Sequence, residues 1–126
     1  MNLLMVGIGG FLGSCSRYLI TKWSGSFTAS FPLGTLLSNV LAGLLIGFII
    51  GLKQNSVRMS DNTKLFLTTG LLGGLSTFSA FSLETIELFK AGKYFMSIGN
   101  IALNVGLSFL GVVIGFIAAK MFVNQP

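Results

Sequence analysis

Charged residues are so sparse in this chain that four apolar stretches remain, each long enough to cross a bilayer: Leu3 to Ile20, Pro32 to Leu52, Lys64 to Phe89 and Phe95 to Phe122. A spanning helix needs about 20 mostly apolar residues. In hydrocarbon the backbone must satisfy its own polar groups, so each stretch is read as a helix. Composition agrees: 126 residues, 52% hydrophobic and 9% charged, lie outside the soluble range. The mean hydropathy of +0.86 says the same. The expected fold is an all-α integral membrane protein, one transmembrane domain over residues 1–126 with four spanning helices.

The inventory of reactive groups excludes much. Cys15 is alone, histidine is absent, and the acids are Asp61, Glu84 and Glu87. Neither a zinc site nor a histidine-based triad can be assembled, so no enzyme is expected. The first stretch is read as retained rather than cleaved, because its first basic residue, Arg17, lies at its far end. A net charge of +5 suggests nucleic acid in a soluble protein. Here the basic residues sit in loops and at helix ends, where lipid headgroups account for them and no nucleic-acid partner is expected.

Basic residues in short loops normally mark the cytoplasmic side. In this chain they make no choice, since Lys53, Arg58, Lys64 and Lys120 fall at one face and Arg17, Lys22, Lys90 and Lys93 at the other. Either the count is uninformative, or the chain inserts both ways up and pairs with an inverted copy of itself. The second reading is favoured, because so short a chain encloses little alone.

Residues four apart share one helix face. In the second span that face reads Thr35, Asn39, Gly43, Gly47, Gly51. Glycines at this spacing admit another helix closely, whereas Asn39 places an amide within roughly one turn of the bilayer midplane, where an unpaired polar group is costly. The first span repeats the device with Gly9, Gly13 and Arg17; the fourth carries Asn100, Asn104 and Ser108, then Gly111 and Gly115. Interhelical hydrogen bonding explains each stripe separately, and a polar path explains them together. Arg17 is either a snorkelling anchor or the cationic wall of a vestibule attractive to anions.

The third stretch breaks the pattern at its middle with GLLGGLSTFSAF, Gly70 to Phe81. Gly73 and Gly74 can take the left-handed conformation that ends a helix, and Ser76 or Thr77 can cap a second half-helix. Interrupted backbone at that depth must be covered by protein or water. An inverted partner would cover it, and the carbonyls of Gly73 and Ser76 would then form an oxygen cage with their copies, suited to sodium. A packing kink without an ion is the plainer reading. Phe78 and Phe81 share a face of the second half-helix, and their positive ring edges can support an anion without a full charge. Thr77, Ser79 and Ser82 add hydroxyl donors, and Glu84 lies roughly 12 Å beyond the midplane, either an interfacial acid or a gating group.

These motifs match a known family. GGFLGSCSRY at 9–18, GTLLSNVLAG at 34–43 and GLLGGLSTFSAFSLE at 70–84, in that order, resemble the Fluc (CrcB-type) fluoride channels over essentially the whole chain. The resemblance implies an antiparallel, dual-topology homodimer in the bacterial inner membrane, with two fluoride pores and a structural sodium ion at its centre. It implies sodium ligands at the Gly73 and Ser76 carbonyls, pore phenylalanines Phe78 and Phe81, a pore amide at Asn39 and a vestibule arginine at Arg17. Thr35, Thr77, Ser79 and Ser82 become hydroxyls near the path, Glu84 an acid beside it, and Asn104 and Ser108 its counterparts on the fourth helix. The implied role is passive export of cytoplasmic fluoride, a detoxification. A small multidrug exporter also has four spans, but proton-coupled antiport needs an acid deep in the membrane and the first span has none.

Overall fold

The computed structural model describes residues 2–28, 30–54 and 58–123. Four helical spans are present: Asn2–Ser24, Leu33–Gln54, Asp61–Lys90 with an interruption, and Tyr94–Val123. Their ends lie within about four residues of those read from the apolar runs. The first, for example, runs on through Thr21, Lys22 and Trp23, whose amphipathic side chains suit the headgroup layer.

Between lipid-solvated helices there is little hydrophobic drive to associate, so close backbone approach must supply the attraction. The glycine stripes provide it. Gly43 of the second span faces the Ser108 carbonyl of the fourth, Gly47 faces that of Val112, and Gly51 lies against Ala119 and Phe116. Gly111 and Gly115 return the contact against Val40 and Leu44. The first span packs in the same way on the third, with Gly9 against Phe66 and Gly70, and Gly13 against Leu71. In both pairs the register rises together, so the partners run parallel, whereas Gly34 beside Thr21 sets the second span antiparallel to the first. This puts Arg17, Lys22, Lys90 and Lys93 at one end and Lys53, Arg58, Lys64 and Lys120 at the other, the even split expected from sequence.

The third span has two departures from an α-helix. After Asp61–Lys64 it becomes a π-helix over Leu65–Leu72, returns to one α turn at Gly73–Leu75, and stops. Ser76 and Thr77 are extended (φ −76, ψ 153 and φ −152, ψ 118), and a second half-helix starts at Phe78 and ends at Lys90. The expected left-handed glycine is not what ends the first half. Gly73 is right-handed helical (φ −65, ψ −35), and among the described residues the only glycine with positive φ is Gly92. Gly74 is needed for close packing instead, because a Cβ there would stand 2.6 Å from the Gly10 carbonyl oxygen. Gly92, at φ 74, does close the second half-helix: Lys93 N–H donates to the Leu88 carbonyl at 2.9 Å across it.

A small core of Ala42, Leu72 and Leu75 seats the break against the second span. Outward faces remain strongly apolar, as at Leu3, Phe95 and Phe109, which are 85%, 91% and 71% exposed and suit lipid or another chain.

Candidate functional site

The break is held open by side chains. Thr77 caps the second half-helix, its Oγ1 accepting the Ala80 N–H at 3.2 Å. Its backbone is clipped at both polar groups by Asn39: the Thr77 N–H donates to Oδ1 at 2.7 Å, and Nδ2 donates to the Thr77 carbonyl at 3.2 Å. These two contacts have a consequence for the carbonyls singled out in the sequence. In a continuous α-helix Thr77 N–H would bond to the Gly73 carbonyl and Ala80 N–H to that of Ser76. Both donors are engaged elsewhere, so the two carbonyls lose their helical partners.

Asn39 continues into a buried polar chain. Its Nδ2 also donates to Asn104 Oδ1 at 2.9 Å; Asn104 Nδ2 donates to Asn100 Oδ1 at 2.9 Å and to the Asn100 carbonyl at 3.1 Å. Asn100 Nδ2 donates to Thr85 Oγ1 at 2.9 Å, and that hydroxyl donates to the Phe81 carbonyl at 2.7 Å. Ser97 adds a side branch to the Thr85 carbonyl at 2.9 Å. Sequence reasoning placed Asn100 and Asn104 on one stripe but missed Thr85 and Ser97. The available signal was the spacing of four from Phe81 to Thr85, which puts a hydroxyl on the half-helix's buried face.

A groove of about 490 Å³ opens beside the break, lined among others by Asn39, Phe78, Phe81, Asn104, Ser108 and Gly73. Phe78 and Phe81 meet edge to face, ring centroids 5.4 Å apart at 61°. Phe81 is buried at 8% exposure, whereas Phe78 is 79% exposed and projects from the chain. Both Asn39 N–H bonds are used within the chain, and the hydroxyl of Ser108, a residue of the groove wall, is buried without a partner.

Among the other expected residues, Ser76 and Thr77 line the groove, whereas Thr35, Ser79, Ser82, Glu84 and Arg17 lie outside its lining. Thr35 donates to Glu84 Oε1 at 2.6 Å, while Glu84 Oε2 is buried and unpartnered. Glu84 lines a separate cleft of about 270 Å³ with Glu87, Lys93 and Ser30. Ser82 donates to the Phe78 carbonyl at 2.8 Å, Ser79 lies 3.4 Å from the Thr77 hydroxyl, and Ser76 donates to the Leu72 carbonyl at 3.0 Å. Arg17 is half-buried on the first span, away from the lining of either cavity.

Comparison with known proteins adds independent information. A family model described as CrcB-like protein, Camphor Resistance (CrcB), matches residues 4–116. Among curated relatives, the fluoride-specific ion channel FluC of Clostridium perfringens (strain 13 / Type A) is 53% identical over 113 residues, 89% of this chain and 88% of the relative. That of Clostridium novyi (strain NT) is 49% identical over 119 residues, 94% and 93% of the two chains. The FluC of Pyrococcus abyssi (strain GE5 / Orsay) is 42% identical over 123 residues, 95% and 99%. These relatives carry the name of a channel and not of an enzyme, in keeping with the inventory of reactive groups. With the model matched from the first span to the last, this chain belongs to the CrcB-like protein family.

Proposed function

We propose that the chain is a fluoride channel that lets cytoplasmic fluoride leave a bacterial cell passively across the inner membrane. The observation that carries this reading is the groove at the break. It combines a partnerless buried Ser108 hydroxyl with a phenylalanine pair and contains no fixed cation. Dehydrating a small hard anion is expensive, and fast passage requires donors that are adequate but weak and multiple. A hydroxyl and aromatic ring edges meet that requirement, whereas a lysine at the same depth would trap the ion. The names of the relatives supply the halide's identity.

We further propose that two copies pair antiparallel, giving two pores. The even charge split removes the usual bias in insertion. The exposed Phe78 and the open groove beside the break offer a midplane surface for an inverted copy. Sodium fits the same junction: the Gly73 and Ser76 carbonyls have lost their helical donors and are the oxygen ligands a hard cation takes. Bound there, sodium supplies positive charge near the anion path without a titratable group. The chain's own residues do the rest: Asn39 keeps the break open, Thr77 caps the half-helix that carries the rings, and Thr35 positions the Glu84 carboxyl in the second cleft.

The test is fluoride-electrode efflux from proteoliposomes with chloride as competitor. Rapid, saturating fluoride release with chloride retained is expected. Liposomes that release neither ion, or both equally, would refute the reading.

A further inference from the structure

We propose that Asn100 and Thr85 are positioning residues, which anchor the far end of the buried hydrogen-bond chain and so hold the first turn of the second half-helix in its working orientation. Its flux arm rests on the reading above; its spectroscopic arm does not.

An asparagine amide can in principle point either way, but here one atom settles all three. The Thr77 backbone N–H can only donate, so Asn39 must offer it Oδ1, and Nδ2 then points to the Thr77 carbonyl and to Asn104. Asn104 must accept with Oδ1 and therefore donates onward to Asn100. Asn100 must accept with its oxygens and donates to Thr85, whose hydroxyl, having accepted, gives its proton to the Phe81 carbonyl. Apart from the Asn39 bond back to the Thr77 carbonyl, every donor runs the same way, from Thr77 to Phe81.

Both ends of this chain grip one helical turn. Thr77 and Phe81 are four residues apart, and the turn between them carries Phe78 and the buried Phe81 ring. The three asparagines form a strap from the second and fourth spans that fixes how far this turn is rotated about its axis. Burial raises the cost of any fault, since Asn100 is 0%, Asn104 4% and Thr85 7% exposed. A flipped amide breaks bonds on both sides with no water to replace them. Thr85 completes the polarity fixed at Thr77, because its hydroxyl accepts from Asn100 while handing its own proton to a carbonyl.

The experiment compares Thr85→Val, Thr85→Ser and Ser97→Ala. Valine keeps the shape of threonine and removes the hydroxyl; serine keeps the hydroxyl; Ser97 bonds the Thr85 carbonyl in the same seam but lies outside the chain. Hydrogen exchange at the Thr77 amide, measured by NMR on the assembled full-length protein, reads the far end of the strap without reference to transport. Thr85→Val should speed Thr77 exchange about tenfold, on the scale of one buried hydrogen bond, and reduce fluoride efflux about as much. Thr85→Ser should restore both to within about threefold of the unaltered chain, and Ser97→Ala should leave Thr77 unmoved. Unchanged Thr77 exchange in Thr85→Val overturns the proposal. So does Ser97→Ala matching it, since that would mark ordinary helix packing. If the valine variant does not fold, Thr85→Cys carries the same test, its thiol being the weaker donor and acceptor. Fast Thr77 exchange in Thr85→Val, where the unaltered protein itself conducts no fluoride, would keep the strap and remove the channel reading.

Discussion

Replacing Gly47 by alanine tests whether backbone contact between the second and fourth spans holds the molecule together. An added Cβ would collide with the Val112 carbonyl oxygen and stand 2.8 Å from its carbon and 2.9 Å from its Cα. Ordinary contact begins near 3.4 Å, so about 0.6 Å of separation would clear the carbon alone and the nearer oxygen demands more, with no flexible side chain there to yield. The contacts of Gly43 and Gly115, each within about one turn on the same seam, would be pried open with it. Overpacking costs about 1–3 kcal/mol, and rigid backbone on both sides places this case near 3. Alanine's better helix propensity returns about 1 kcal/mol, leaving a net loss of about 2. Gly106 is the control, since nothing lies within 4 Å of its added Cβ; Gly106→Ala should gain about 1 kcal/mol from propensity alone. The variants should therefore differ by about 3 kcal/mol, roughly a hundredfold in the folding equilibrium. Reversible denaturation by SDS in mixed micelles, followed by helical circular dichroism, measures this directly. Gly47→Ala proving as stable as Gly106→Ala would refute the reasoning.

Phe81→Ile should lower fluoride efflux at least about tenfold while the purified protein keeps its elution volume, because isoleucine fills the space without a positive ring edge; unchanged efflux would remove the ring from the path. Sodium-free buffer should weaken the assembled state or its conduction, read by size-exclusion chromatography and by efflux with N-methylglucamine as the replacement cation; indifference to sodium would reduce the break to a kink. Thr77→Val should lose about 1 kcal/mol of stability through the missing cap, with Thr77→Ser close to the unaltered chain, as monitored by the same denaturation. Gly92→Ala should cost about 1 kcal/mol through its positive φ alone, since an added Cβ there meets nothing within 4 Å.

The parts of this architecture that depend on local chemistry were legible from sequence. Apolar length located the four spans, and glycines four apart gave the seams, because a missing side chain has one main use in a membrane helix. The capping role of Thr77 followed from a hydroxyl at the start of a helical run. What escaped reading depended on rotation between distant segments. Asn39 and Asn104 are 65 residues apart and Thr35 and Glu84 are 49 apart, and which faces which is settled by the glycine seams rather than by any short motif. For the same reason the partners of the Asn39 amide could not be read from sequence, although the fold uses both of its donors. The left-handed ending assigned to Gly73 and Gly74 failed because two extended residues, Ser76 and Thr77, suffice to stop the helix. Nothing in LFLTTGLL announces a π-helix, its composition being equally suited to an α-helix.

That wide-turned segment sets the timing of everything downstream. With hydrogen bonds five residues apart it takes roughly 4.4 residues per revolution instead of 3.6, so its eight residues, Leu65–Leu72, fall behind an α-helix by about four-tenths of a turn. The segment thus works as a phase delay, bringing Ser76 and Thr77 round to meet Asn39 instead of passing it. Were all eight residues to tighten into an α-helix, the interruption would arrive about four-tenths of a turn early and miss its clip although each residue of the site itself was still present. Losing one residue offsets that advance, because seven α-helical residues make about 1.9 turns against about 1.8 for eight in the wide form, so a single deletion within Leu65–Leu72 should disturb the site less than a single insertion.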